Sequence, residues 1–235
     1  MSSSDRTVKL LQFQEQVPYN KGLLIQSELY ETVLDSRNEQ PGGLILLEHT
    51  PVITNGRFGD NGNYALPVDE IKKQGVEVVS TDRGGDVTYH GPGQLVAYPI
   101  LNLRKLKIGV KVYIHKIEQL LINLLRDYEI KSDRREGYPG VWVGDGKIAS
   151  IGVAVKKGIT LHGSALNINT DLSYFSLIVP CGIPQVAITS MSAVKGEDVD
   201  FEEVCGLYAE HFEHIFGVTV EYAQVPDRAG LYITS

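Results

Sequence analysis

Two tight turns, Gly144-Asp145-Gly146 and Lys156-Lys157-Gly158, interrupt a run of β-prone residues between positions 141 and 168. A turn this short reverses the chain between antiparallel strands, because parallel neighbours need a crossover of a dozen or more residues. Val141-Trp142-Val143, residues 148–155, Ile159-Thr160-Leu161 and residues 165–168 are therefore expected to pair as an antiparallel meander. Helical patterns flank this stretch. Over residues 110–128, Ile114, Ile117, Leu121, Leu124, Leu125 and Tyr128 share one face. A second helix is predicted to start at Asp200, where Asp200 and Glu203 resemble a capping box; Gly217 stops it, and residues 218–222 return as a strand. Nearer the N-terminus, residues 23–34 carry apolar side chains at mixed helical spacing. Leu44-Ile45-Leu46-Leu47 reads as a buried strand after Pro41-Gly42-Gly43, and Pro67 with Asp69 and Glu70 opens a short helix that Gly75 ends. Hairpins beside helices predict an α+β fold, not a doubly wound parallel sheet.

The 235 residues fit a single domain spanning 1–235, with 194–235 either integral to it or a small appendage. A hydrophobic content of 43% is enough for a sizeable core, and no apolar run approaches the length of a bilayer span. Net charge is −7, which argues against a general nucleic-acid binder. Two cysteines form no disulfide framework, and the N-terminus does not read as a secretory signal; both point to the cytoplasm, or to an organellar matrix or stroma if a presequence was removed. Basic pairs at Lys72-Lys73, Arg104-Lys105, Arg134-Arg135 and Lys156-Lys157 read as solvated charge or as a docking face for an acidic partner.

Four segments carry residues suited to chemistry. In Arg83-Gly84-Gly85-Asp86-Val87-Thr88-Tyr89-His90-Gly91-Pro92-Gly93-Gln94, the glycines suit neither a helix nor a plain strand, and they let backbone approach a ligand closely. The stretch lacks a Walker ending and is not GxGxxG, so it does not read as a nucleotide loop. Lys147 opens the apolar segment Ile148-Ala149-Ser150-Ile151-Gly152, either as a surface charge or as a cation aimed into a pocket. His162 precedes the small residues Gly163, Ser164 and Ala165, which suit a tunnel for an apolar chain as well as they suit close strand packing. Pro180 and Gly182 flank Cys181 and forbid a regular helix, a context that displays a sulfur on a bend. A nearby ammonium would stabilise its thiolate. Cys205, on the apolar face of the last helix, reads as a structural thiol.

Taken in order, these segments resemble the lipoyl(octanoyl) transferase family from about residue 44 to 191. The resemblance rests on the 83–94 loop, Gly140-Val141-Trp142-Val143 with Lys147-Ile148, His162-Gly163 with Ala165-Leu166-Asn167, and Asp171-Leu172 with Phe175, Ile178 and Pro180-Cys181-Gly182-Ile183. Met191 and Ser164 depart from the usual pattern. The resemblance implies a biotin/lipoate protein ligase-like fold with a mixed, mostly antiparallel sheet. It implies that Cys181 carries an acyl thioester and that Lys147 lowers the pKa of that thiol. Arg83, Gly84, Gly85, Asp86, Val87, Thr88, Tyr89, His90, Ser150, Ile151, Gly152, Gly163, Ser164 and Ala165 would contact the acyl group, with His162 and Gln94 in support. Octanoyl-acyl carrier protein would be the donor. Lipoyl domains of 2-oxoacid dehydrogenase complexes and the glycine cleavage H protein would be the acceptors. No metal or cofactor is implied. Three alternatives remain open: an ATP-dependent lipoate or biotin ligase, a hydrolase using Cys181 and His162, and a non-catalytic binder of acyl carrier or lipoyl domains.

Overall fold

A computed structural model describes residues 6–35, 41–59, 61–179 and 186–223. Strand β1 (Thr7–Gln12) leads into helix α1 (Tyr19–Leu34), then β2 (Gly42–Leu47) and β3 (Val52–Asn55). Helix α2 (Val68–Lys73), β4 (Glu77–Ser80), β5 (Val87–His90), β6 (Gln94–Leu101) and helix α3 (Val110–Asp127) follow. The meander is β7 (Asp133–Arg135), β8 (Tyr138–Val143), β9 (Gly146–Lys156) and β10 (Ile159–Asn167). β11 (Ala187–Ile188), α4 (Met191–Lys195), α5 (Phe201–Phe216) and β12 (Thr219–Tyr222) complete the described chain.

The large sheet runs β12-β1-β2-β6-β10-β9-β8-β7, with β11 added beside β9. Its pairs from β2 to β7 are antiparallel, whereas β12-β1, β1-β2 and β11-β9 are parallel. The α+β expectation holds. Both hairpins have the turn chemistry their sequences promise. Gly144 takes φ 56° at the first central position of its two-residue turn, and Lys157 and Gly158 both lie at positive φ. Alternate residues of β2 serve opposite faces: Leu44 and Leu46 join the core beneath α3 and α5, while Ile45 and Leu47 join the one beneath α1. The predicted Asp200 cap is present, its carboxylate accepting from the Glu202 and Glu203 amides at 2.9 and 3.1 Å. α5 lies against α3, and β12 extends the large sheet beside β1.

A small sheet, β4-β3-β5, sits apart from the large one. Here the structure corrects the reading of residues 83–94: their glycines bracket a regular four-residue strand, β5, paired with β3 from Val87 to His90. The central strand β6 went unread, since Pro99 argues against an interior strand. Pro99 nevertheless stands in register with Leu44.

Candidate functional site

The glycine-rich loop is folded around Arg83. Its guanidinium is buried and donates to the Thr54 carbonyl at 2.7 Å, the Thr54 hydroxyl at 2.9 Å and the Asp86 carbonyl at 2.6 Å. These bonds fasten the loop to β3. The Gly84 amide then donates to the Val153 carbonyl at 2.9 Å, drawing the loop onto β9. Closeness requires the missing side chains: a Cβ on Gly152 would lie 2.8 Å from the Gly84 carbonyl oxygen, and one on Gly163 would lie 2.1 Å from that of Ala97.

Between loop, β9 and β10 lies a cavity of about 520 Å³, counting the space it shares with solvent. Residues 83–88 and His90 border it from the loop and β5; Lys147, Ser150, Ile151 and Gly152 from β9; and His162, Gly163, Ser164 and Ala165 from β10. The chain thus brings residues 83–90 to the hairpin residues 147–165, far apart in sequence. Tyr89 is the exception among the expected contacts. It stacks on Tyr174 at 4.8 Å and meets Phe175 edge-on, within the core below the small sheet. Gln94 does not border the cavity either. It supports it: its side chain bonds His90 Nδ1 at 2.7 Å, the Tyr89 carbonyl at 3.2 Å and Asn167 Oδ1 at 2.9 Å, joining β5, β6 and β10. Tyr19, Val96 and Tyr98 also line the cavity and were missed. The continuous apolar run Leu95-Val96-Ala97-Tyr98 was the available signal for the last two.

Lys147 is 5% exposed although it begins a strand after a surface turn. A register shift between Val141 and Trp142 sets Trp142 opposite it, and its Nζ lies 5.6 Å from the indole centroid. The Arg135 guanidinium lies 4.1 Å from the same indole centroid. Gly140 makes room for the ammonium stem, since a Cβ there would approach Lys147 Cε to 2.7 Å. Lys147 also borders a second, more open groove with Phe58, Val110, Ile114, Tyr138 and Pro139, so it stands where the cavity meets the surface. β11 runs beside it, with Ile188 in register with Lys147 and the Thr189 amide donating to the Lys147 carbonyl at 3.0 Å. Pro180, Cys181, Gly182 and Ile183 lie outside the described residues.

The far end of the cavity is aromatic and polar. Burial pushes His90 down to about 3, helped by His49 and Arg83. Burial likewise takes His49 to about 4 against the pull of its bond to the Val17 carbonyl. His162 is lowered by burial and held back by Asp82, which it meets through Nε2 at 2.9 Å. Burial would raise the Asp82 carboxyl, but hydrogen bonds from Lys156 and His162 hold it at about 2. These imidazoles are neutral near pH 7, so they suit shape and hydrogen bonding rather than charge. Cys205 is buried on the inner face of α5, and burial with nearby carboxylates pushes its thiol far up, as suits an inert core group. Among the described residues no cluster of three or more His, Cys, Asp or Glu could hold a metal ion, and no helix is long and apolar enough to cross a membrane.

Three of the four arginines and lysines expected to form docking pairs near the meander have internal partners. Arg134 bonds Glu118 at 3.0 Å and Gln119 at 2.8 Å, Arg135 pairs with Asp145 at 3.0 Å, and Lys156 pairs with Asp82 at 2.7 Å.

The family described as the lipoyl protein ligase A/B catalytic domain matches residues 18–213. A protein named octanoyltransferase from Alkaliphilus metalliredigens is 47% identical over 208 residues, covering 86% of this chain and 94% of the relative. Another of that name, from Caldanaerobacter subterraneus subsp. tengcongensis, is 48% identical over 206 residues, covering 87% of this chain and 89% of the relative. Among solved structures, lipoate-protein ligase A bound with ATP superposes with a TM-score of 0.79 at 17% identity, covering 95% of this chain and 91% of that one. A lipoate protein ligase from T. acidophilum with bound lipoic acid gives 0.76 at 17% identity, covering 95% and 92%. At such identities the likeness is one of fold.

Proposed function

Since the chain belongs to the lipoyl protein ligase A/B catalytic-domain family and is an acyltransferase of it, we propose that it moves an octanoyl group from acyl carrier protein to a lipoyl-domain lysine through a thioester on Cys181. The observation that carries this reading is the burial of Lys147 at the mouth of a narrow cavity walled by small residues. A cation shielded from water acts strongly on a neighbouring thiol. Of the described residues flanking Cys181 in sequence, Val179 donates through its amide to the Asn63 carbonyl at 2.8 Å, and β11 runs alongside Lys147.

In the first half-reaction the Cys181 thiolate attacks the donor thioester carbon. A C–S bond forms to the enzyme, the donor C–S bond breaks, and the departing thiolate takes a proton from Lys147. In the second, Lys147 accepts a proton from the incoming lysine amine, an amide bond forms, and Cys181 leaves as thiolate. Thioester and acyl-enzyme have similar energy, so no ATP is consumed. The tail lies between β9, β10 and the glycine-rich loop, where each buried methylene contributes about 0.8 kcal/mol before ordering costs. The His90–Gln94–Asn167 bonds hold the walls in register.

The test is transfer to a lipoyl domain from octanoyl-acyl carrier protein without nucleotide. Octanoylation of the domain that is lost in Cys181→Ala is expected. Product formed only from free octanoate with ATP, and surviving Cys181→Ala, would show an adenylating ligase instead.

A further inference from the structure

His162 closes the cavity at the end away from Lys147. It pairs with Val153 near the far end of β9, whereas Lys147 stands near its start. The residue is 3% exposed and takes φ 58°, an unusual backbone state for a histidine within a strand. Its Nε2 donates to the Asp82 carboxylate, which fixes the neutral tautomer with the proton on that nitrogen. Nδ1 is then a buried acceptor, and it has no hydrogen-bond partner among the described residues. Behind the ring stands Gln26 of α1, whose Oε1 accepts from the His162 amide at 2.8 Å and whose Nε2 is likewise buried without a partner. His162 borders two cavities: the one that leads to Lys147, and a second beneath α1 lined by Gln26, Tyr30, Glu31, Asp82 and Lys156.

We propose that the His162 ring is the stop that sets acyl chain length, a hydrogen-bonding partition between the tail cavity and the α1 cavity. This rests on the reading that the thioester carbon sits at the Lys147 end. A chain that fits short of the ring leaves its bond to Asp82 in place. A longer one must displace the ring from Asp82 and break that bond, which is unfavourable. The upper limit on chain length is thus set by polarity as well as by volume. Removing the ring joins the two cavities.

The experiment measures kcat/KM for octanoyl, decanoyl and dodecanoyl carrier-protein thioesters with wild type, His162→Gly and His162→Asn. Both substitutions tolerate the left-handed backbone. Wild type is expected to favour octanoyl over decanoyl at least about tenfold. In either variant the decanoyl-to-octanoyl ratio should rise by roughly 15-fold, from about fourfold per newly buried methylene. Loss of stability lowers all three rates together and does not move this ratio. An unchanged ratio in the folded variants, or wild type that uses the three chains equally, overturns the stop while leaving octanoyl transfer intact. Wild type that uses none of the thioesters overturns both.

Discussion

At the scale of single residues, the chain spends glycines and aromatic rings to bury one ammonium. Gly140 clears its stem, Trp142 offers its ring, and the strand register turns it inward from a hairpin that by sequence reads as surface. Arg83, by contrast, is committed to Thr54 and Asp86, so it shapes the loop first. If Lys147 serves both proton transfers, Lys147→Ala should slow enzyme acylation and transfer to the lysine alike, by about 10²- to 10⁴-fold. Single-turnover assays with octanoyl-acyl carrier protein separate the two steps. Alkylation of Cys181 at neutral pH should slow in the same variant, and alkylation at the wild-type rate would remove the lysine from thiol activation.

At the scale of elements, α1 and the central strands hold a cluster of neutral imidazoles. Gly22 lets α1 approach His49, whose Nε2 meets the Tyr98 hydroxyl at 2.7 Å, and His90 lies nearby. His49, His90 and His162 all titrate below the ordinary histidine value of 6.5 when folded. Below that value the unfolded chain binds protons that the folded chain refuses, so stability is lost as pH falls from 6.5 towards 4 and 3, by up to about 1.4 kcal/mol per pH unit for each fully lagging group. Glu48 opposes this, since burial raises its carboxyl, but it is one group against three. The urea midpoint should therefore be lower at pH 5 than at pH 7; equal midpoints would contradict the burial of these rings. Most elements were legible beforehand. The two hairpins, the α3 stripe and the Asp200 cap each follow from local chemistry. β6 was not, because its eight residues are buried on both faces and a proline lies among them. Its place depends on neighbours distant in sequence.

At the scale of the whole molecule, three of the four segments expected to meet border one cavity, because β9 and β10 are hairpin partners and the loop is tied to Val153, while the segment of Cys181 lies outside the described residues. Sequence reasoning missed what only packing decides. Tyr89 faces the wrong side of β5, Tyr19 and Tyr98 reach in from α1 and β6, and the basic pairs at 134–135 and 156–157 are largely occupied by internal acids. Charge reversal at Arg134 would therefore break its bonds to Glu118 and Gln119 as well as disturb any carrier protein docked there. The catalytic proposal joins these scales in one covalent event. Intact-mass spectrometry of the chain mixed with octanoyl-acyl carrier protein, with the acceptor domain withheld, should find one added octanoyl group on wild type and on Cys205→Ser and none on Cys181→Ala. Unmodified wild type, or an adduct that persists in Cys181→Ala, would contradict the account.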